Sequence, residues 1–153
     1  MHKKSVTLLF ITLSSPIMIG VYENSELIES LSSEEKSSDV LPLLVKSLFE
    51  KYDIKGLYYT SGPGSFMAIK ITYIFLKSLS ILHKIPLFAT DAFYFNKNQP
   101  IKAIGKLYFV KIDQEIVTKK FEDTQTASFA LPEKLDYNKF STNAEPLYII
   151  GAV

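Results

Sequence analysis

Leu57-Tyr58-Tyr59-Thr60-Ser61-Gly62-Pro63-Gly64-Ser65-Phe66 is the stretch that decides how this chain is built. Leu57 to Thr60 is a short run of aliphatic, aromatic and β-branched residues, the signature of a buried strand. Ser61 to Phe66 then reads as a tight turn, with Gly on both sides of Pro63, that opens a helix running to about His83. Pro86 closes the connection, and Leu87 to Thr90 reads as the next strand. Strand, turn, helix and strand in this order predict a parallel crossover.

Upstream, Val6 to Leu13 reads as a buried strand and Pro16 as a tight connection. Ile17 to Tyr22 and Glu26 to Leu31 read as two further strands around Glu23-Asn24-Ser25, so the chain opens as a three-strand antiparallel meander. Asp39 is the expected cap of a first helix, with Pro42 at its third position and Gly56 as its stop. Leu41, Leu44, Val45, Leu48 and Tyr52 recur at three- and four-residue steps and form one apolar stripe, which Val40 and Phe49 widen. Downstream, Leu107 to Ile112 and Glu115 to Lys120 read as a hairpin through Asp113-Gln114, and Leu147 to Ile150 as a terminal strand. Phe121 to Glu145 carries no clear period.

With 153 residues, 47% of them apolar, the chain has the size and material of one compact unit with a real core. Its 17 basic and 16 acidic residues nearly cancel, so no whole-protein field draws it onto a nucleic-acid backbone. Every basic residue is Lys, which removes the planar fork that grips phosphate or carboxylate bidentately. The absence of Cys excludes disulfides, thiolate nucleophiles and cysteine-ligated zinc. The apolar run Val6 to Ile11 is too short for a signal segment or a membrane span, so the expected location is cytoplasmic.

The turn invites a phosphate-loop reading, which fails because Phe66 and Met67 stand where the gripping Lys belongs. A serine-hydrolase elbow fails too: Ser65 has only His2 and His83 in the whole chain as imidazole bases. Two His without Cys make no metal set, and Asp91 reads as the cap of the turn that follows it. The second helix is apolar around most of its girth, broken only by Lys70, Lys77 and Lys84 at seven-residue steps. One sheet face cannot cover such a helix. Sandwiching inside its own domain and contact with a partner chain are equally open on this ground.

Ser61-Gly62-Pro63-Gly64-Ser65-Phe66-Met67-Ala68-Ile69-Lys70 resembles the S-x-G-P-G-S-F-T-G-[LI]-R signature of the TsaB (YeaZ) family. Val40-Leu41-Pro42-Leu43-Leu44 resembles that family's L-L-P helix, and Ile85-Pro86-Leu87 and Gly105-Lys106-Leu107-Tyr108 are similar to two of its later segments. The resemblance covers residues 6 to about 112. It implies an α/β, actin-like ATPase (ribonuclease-H-like) fold: the meander followed by α-β-α-β in an N-terminal lobe, residues 1–95, then a shortened C-terminal lobe, residues 96–153, packed as one unit. It further implies a non-catalytic subunit that pairs with the metal- and nucleotide-carrying catalytic subunit TsaD and with the ATPase TsaE. The product of that machinery is N6-threonylcarbamoyladenosine at position 37 of ANN-decoding tRNAs, and this chain would meet tRNA only indirectly.

On that resemblance the expected partner-binding residues are Leu41, Leu44, Val45 and Leu48 on the first helix, Gly62, Gly64 and Phe66 at the turn, and Ile69, Tyr73 and Leu76 on the second. No catalytic residue, metal or cofactor is expected on the chain alone, and the place for a nucleotide is the joint with the partner. Thr12-Leu13-Ser14 stands where the family carries Asp-Thr-Ser, Met67-Ala68 replaces Thr-Gly, and Lys70 replaces Arg. Isologous self-pairing through the same helices, or a glycoprotease-like hydrolase, are the alternatives.

Overall fold

The computed structural model describes residues 2–126 and 128–147. The opening meander forms as expected: β1 (Ser5–Ile11), β2 (Ile17–Glu23) and β3 (Glu26–Ser33) pair antiparallel in sequence order. Asn24 and Ser25 both take positive φ, as a two-residue hairpin turn with the twist of its strands requires. α1 (Ser37–Lys51) leads to β4 (Asp53–Thr60), α2 (Phe66–His83) to β5 (Leu87–Thr90), and both β1–β4 and β4–β5 are parallel. The result is a five-stranded mixed sheet in the order β3-β2-β1-β4-β5.

Three details differ from the sequence reading. α1 starts before Asp39: extended Lys36 is its cap, and its carbonyl accepts from the Asp39 and Val40 amides, so Asp39 lies in the first turn. Burial of Ser37 beside Val40 and Leu41 draws the start upstream. Pro42 consequently stands deeper, inside the helix rather than at its third position. Gly56 is no helix stop, because the helix ends at Tyr52 and the chain enters β4 at once. There the β1–β4 register slips, with Val6 opposite Ile54 but Thr7 opposite Gly56, so Gly56 sits at a bulge.

Alternate residues of the central strands face opposite ways. Leu8, Phe10, Leu57 and Tyr59 look toward α1 and α2 and join one core cluster with them; Leu9, Ile11, Tyr22 and Tyr58 look the other way into a second. No α-helix lies over that second side among the described residues; the short 3-10 turns Ala92–Phe95 and Tyr137–Lys139 contribute Phe95 and Tyr137 to it. Instead the aperiodic stretch after Phe121 crosses it as a strap. Phe129, Leu131, Leu135, Tyr137 and Phe140 face the sheet. Its peptide groups bond to both sheet edges: the Leu27 amide donates to the Glu133 carbonyl, the Leu135 amide to Ser25, and Ala89 and Ser141 exchange two bonds.

The later segment forms a second sheet, β6 (Ile101–Ile104), β7 (Leu107–Ile112) and β8 (Glu115–Lys120), antiparallel in the order β6-β7-β8. Its β7–β8 hairpin turns at Asp113-Gln114, both at positive φ, as read from the sequence. Ile101 and Phe109 of this sheet belong to the helix-side core. Of the expected terminal strand, Leu147 carries no strand structure and residues 148–150 lie outside the described residues.

Candidate partner-binding face

The turn between β4 and α2 is held from several directions. The Ser61 amide donates to the Thr90 carbonyl, the Ala92 amide to the Gly62 carbonyl, and the Leu147 amide to the Ser61 carbonyl. Gly62 takes φ +123°, a value only glycine adopts without strain. A Cβ on Gly64 would lie 3.1 and 3.2 Å from Leu13 side-chain atoms, so Gly64 lets the β1–β2 connection close over the start of α2. Gly62 is buried, Gly64 and Phe66 half-buried, and Lys70 Nζ lies 6.0 Å above the Phe66 ring. The turn sets where and at what angle α2 begins.

From there α2 runs with two apolar sides. Ile69, Thr72 and Leu76 form a buried stripe on the sheet. Met67, Ile74 and Ile81, at seven-residue steps on the opposite side, are 62, 54 and 70% exposed, and Leu82 beside them is 74% exposed. Half-buried Ile71 completes this outer stripe, and exposed Lys70 and Lys77 border it. On α1, Val40, Leu41, Val45 and Leu48 turn inward while Leu43 is 69% exposed.

The residues expected from the sequence to meet a partner therefore divide. Leu41, Val45, Leu48, Ile69 and Leu76 are buried in the chain's own core and are not surface; Leu44 and Tyr73 are half-buried and pack against that core. The regular three- and four-step stripe is the side a helix turns to its own sheet, so that spacing marks core rather than surface. Surface apolar residues that the sequence reading did not single out, Leu43, Ile74, Ile81 and Leu82, occupy the outer layer; their signal was surplus hydropathy rather than period.

Where the resemblance aligns a carboxylate, Thr12 Oγ1 instead shares a 2.6 Å hydrogen bond with Thr72 Oγ1, both buried, tying the end of β1 to the middle of α2. The cleft beside it, about 470 Å³, is lined by the Thr12–Ser15 connection and the first turns of α1 and α2. Lys36 is the one cation among its lining residues, outnumbered there by Glu34 and Glu35, a poor match for a nucleotide's phosphates. Asp91 accepts from the Phe93 amide at 2.9 Å, the cap read from the sequence, and pairs with half-buried Lys111. His83 packs tilted against Phe49, with ring centroids 4.8 Å apart, at the far end of α2 from Ser65. His2 and His83 line the same distant cleft, so neither imidazole serves Ser65, roughly 25 Å away along the helix.

No protein-family model matches the chain, and no curated protein matches it. Among solved structures, the backbone follows YeaZ from Pseudomonas aeruginosa with a TM-score of 0.60 at 13% identity, over 84% of this chain and 70% of that one. A second, described as an uncharacterized protein with similarity to peptidase YEAZ from Pseudomonas aeruginosa, follows at 0.55 and 14% with the same coverage. At such identity the likeness is one of fold, and it supports the architecture that the turn and its flanking segments suggested.

Proposed function

We propose that this chain is a TsaB (YeaZ) family member and acts as the scaffold and activating partner of a TsaD-type catalytic subunit in threonylcarbamoyladenosine formation on tRNA. The observation that carries the reading is the outer side of α2: on a YeaZ-like backbone, Met67, Ile74, Ile81 and Leu82 stand in water opposite the stripe that holds the helix to its sheet. Each such side chain taken out of water on docking contributes roughly 1–2 kcal/mol before the cost of association. Lys70 and Lys77 at the border would select a partner whose rim is acidic.

In this reading the meander and the α1-β4-α2-β5 crossover are an actin-like lobe whose helix layer is given over to recognition. The partner supplies metal, nucleotide and chemistry; this chain supplies an apolar platform of fixed geometry, held by the 61–66 turn. The site of action is the cytoplasm, where the tRNA is. By length and composition α2 could cross a membrane, with mean hydropathy 1.3. Its packing on the sheet through Ile69, Thr72 and Leu76, and Lys70 and Lys77 within the helix, favour the layer of a globular domain instead.

The test is reconstitution with the TsaD-type and TsaE-type subunits of the same organism and an assay of threonylcarbamoyl transfer to tRNA. Transfer that depends on this chain is the expected result. Transfer at full rate without it, or hydrolytic activity of the chain alone, would overturn the reading.

A further inference from the structure

β8 is the outer strand of the small sheet, and β7 satisfies only half of its peptide groups. The register says which half. The Phe121 amide donates to the Lys106 carbonyl at 2.9 Å, so 106 and 121 form a hydrogen-bonded pair. By the alternation of antiparallel ladders, Tyr108–Lys119, Val110–Val117 and Ile112–Glu115 are hydrogen-bonded pairs too. The N–H and C=O of Ile116 and Thr118 therefore point away from β7, and no other described backbone segment bonds to them. Open edges are usually blunted by charge or Pro. β8 has no Pro, and its charges are ordered rather than uniform, with Glu115 at one end and Lys119-Lys120 at the other.

That order is self-complementary. We propose that β8 pairs antiparallel with β8 of a second copy of this chain, across a twofold axis at Val117, so that the two small sheets become one six-stranded sheet. Outward peptide groups must face each other, which leaves few registers. The one that sets Ile116 against Thr118 places Val117 on Val117 and Glu115 on Lys119, twice over by symmetry. A register centred on Thr118 sets both Lys119 residues against Val117 and forms no charge pair. One centred on Ile116 runs into the Asp113-Gln114 turn, whose positive φ values cannot continue a strand. On the sheet side that carries Val117, Val110 and Ile112 of β7 lie alongside, Ile112 55% exposed, and extend the apolar strip toward the axis. This surface is separate from α2, so the pairing does not depend on the proposed function and leaves the outer side of α2 free.

The chain has no Cys, so a single introduced one reports the axis cleanly. Directly opposed residues of a non-hydrogen-bonded pair have Cα atoms about 4.5 Å apart, within the span of a disulfide. Full-length Val117→Cys is expected to oxidise to a covalent dimer, whereas Thr118→Cys, opposite Ile116, is expected not to. In sedimentation equilibrium the unmodified chain should dimerise with concentration. Glu115→Lys should weaken that about tenfold, Glu115→Lys with Lys119→Glu should restore it, and Ile74→Glu should leave it unchanged. Circular dichroism checks that each variant is folded. A chain that stays monomeric at every concentration overturns the proposal. So does a dimer that Glu115→Lys leaves intact and Ile74→Glu abolishes, or equal cross-linking at positions 117 and 118.

Discussion

Thr12 and Thr72 show how a single residue pair bears on stability. Their buried hydroxyls satisfy each other at 2.6 Å. Replacing Thr12 by Val leaves the Thr72 hydroxyl without that partner, which is expected to cost about 1–3 kcal/mol in urea unfolding. The double change to Val should cost less than twice the single one, because it leaves neither hydroxyl stranded. At the turn, Gly62→Ala forces a side chain into φ +123° and is expected to destabilise by about 1–3 kcal/mol, measured the same way. The strained-turn role of the Gly-Pro-Gly segment was readable in the sequence, since residue type alone gives that geometry. The Thr12–Thr72 bond was not: two hydroxyls sixty positions apart leave no local trace.

At the scale of elements, α2 separates the side that holds the fold from the side proposed for recognition. Leu76→Ala, on the buried stripe, should cost about 2–5 kcal/mol of folding stability. Ile74→Glu, on the exposed one, should change stability by no more than about 0.5 kcal/mol. Parallel denaturation curves of the two variants check both values. The helix bounds were legible because a turn and a Pro-containing connection bracket them. Its inward side was not, because Thr72, a polar residue, sits amid the buried stripe while apolar residues occupy the surface. On α1 the stripe was legible, but Asp39 and Gly56 misled about its ends: helix starts follow tertiary burial of Ser37, and Gly56 serves a strand bulge.

For the whole molecule, the strap over the second sheet side is the part that sequence patterns did not reveal. Its bonds go to the sheet edges at Ser25, Leu27 and Ala89, so no period of 2 or 3.6 is imposed on it. Burial beneath it pushes the Tyr22 and Tyr58 hydroxyls above the ordinary phenol range. With folded-state values raised, the stability they support is complete below about pH 10 and is lost as pH rises beyond it. A chemical-denaturation series into alkali should show that decline, and Tyr58→Phe should reduce its steepness. At the acid end, hydrogen bonds from Tyr52 and Lys51 hold Glu29 below the usual carboxylate range, so its contribution is lost as pH falls through that lowered value.

The most direct test of the scaffold reading is equilibrium binding of the purified chain to the TsaD-type subunit, in its original form and with Ile74→Glu and Ile81→Glu together. The expected result is a stoichiometric complex for the original chain and affinity about a hundredfold weaker for the double variant, with its unfolding midpoint unchanged. No complex with the original chain, or a complex indifferent to both substitutions, would contradict the assignment of the outer α2 side as the partner's seat.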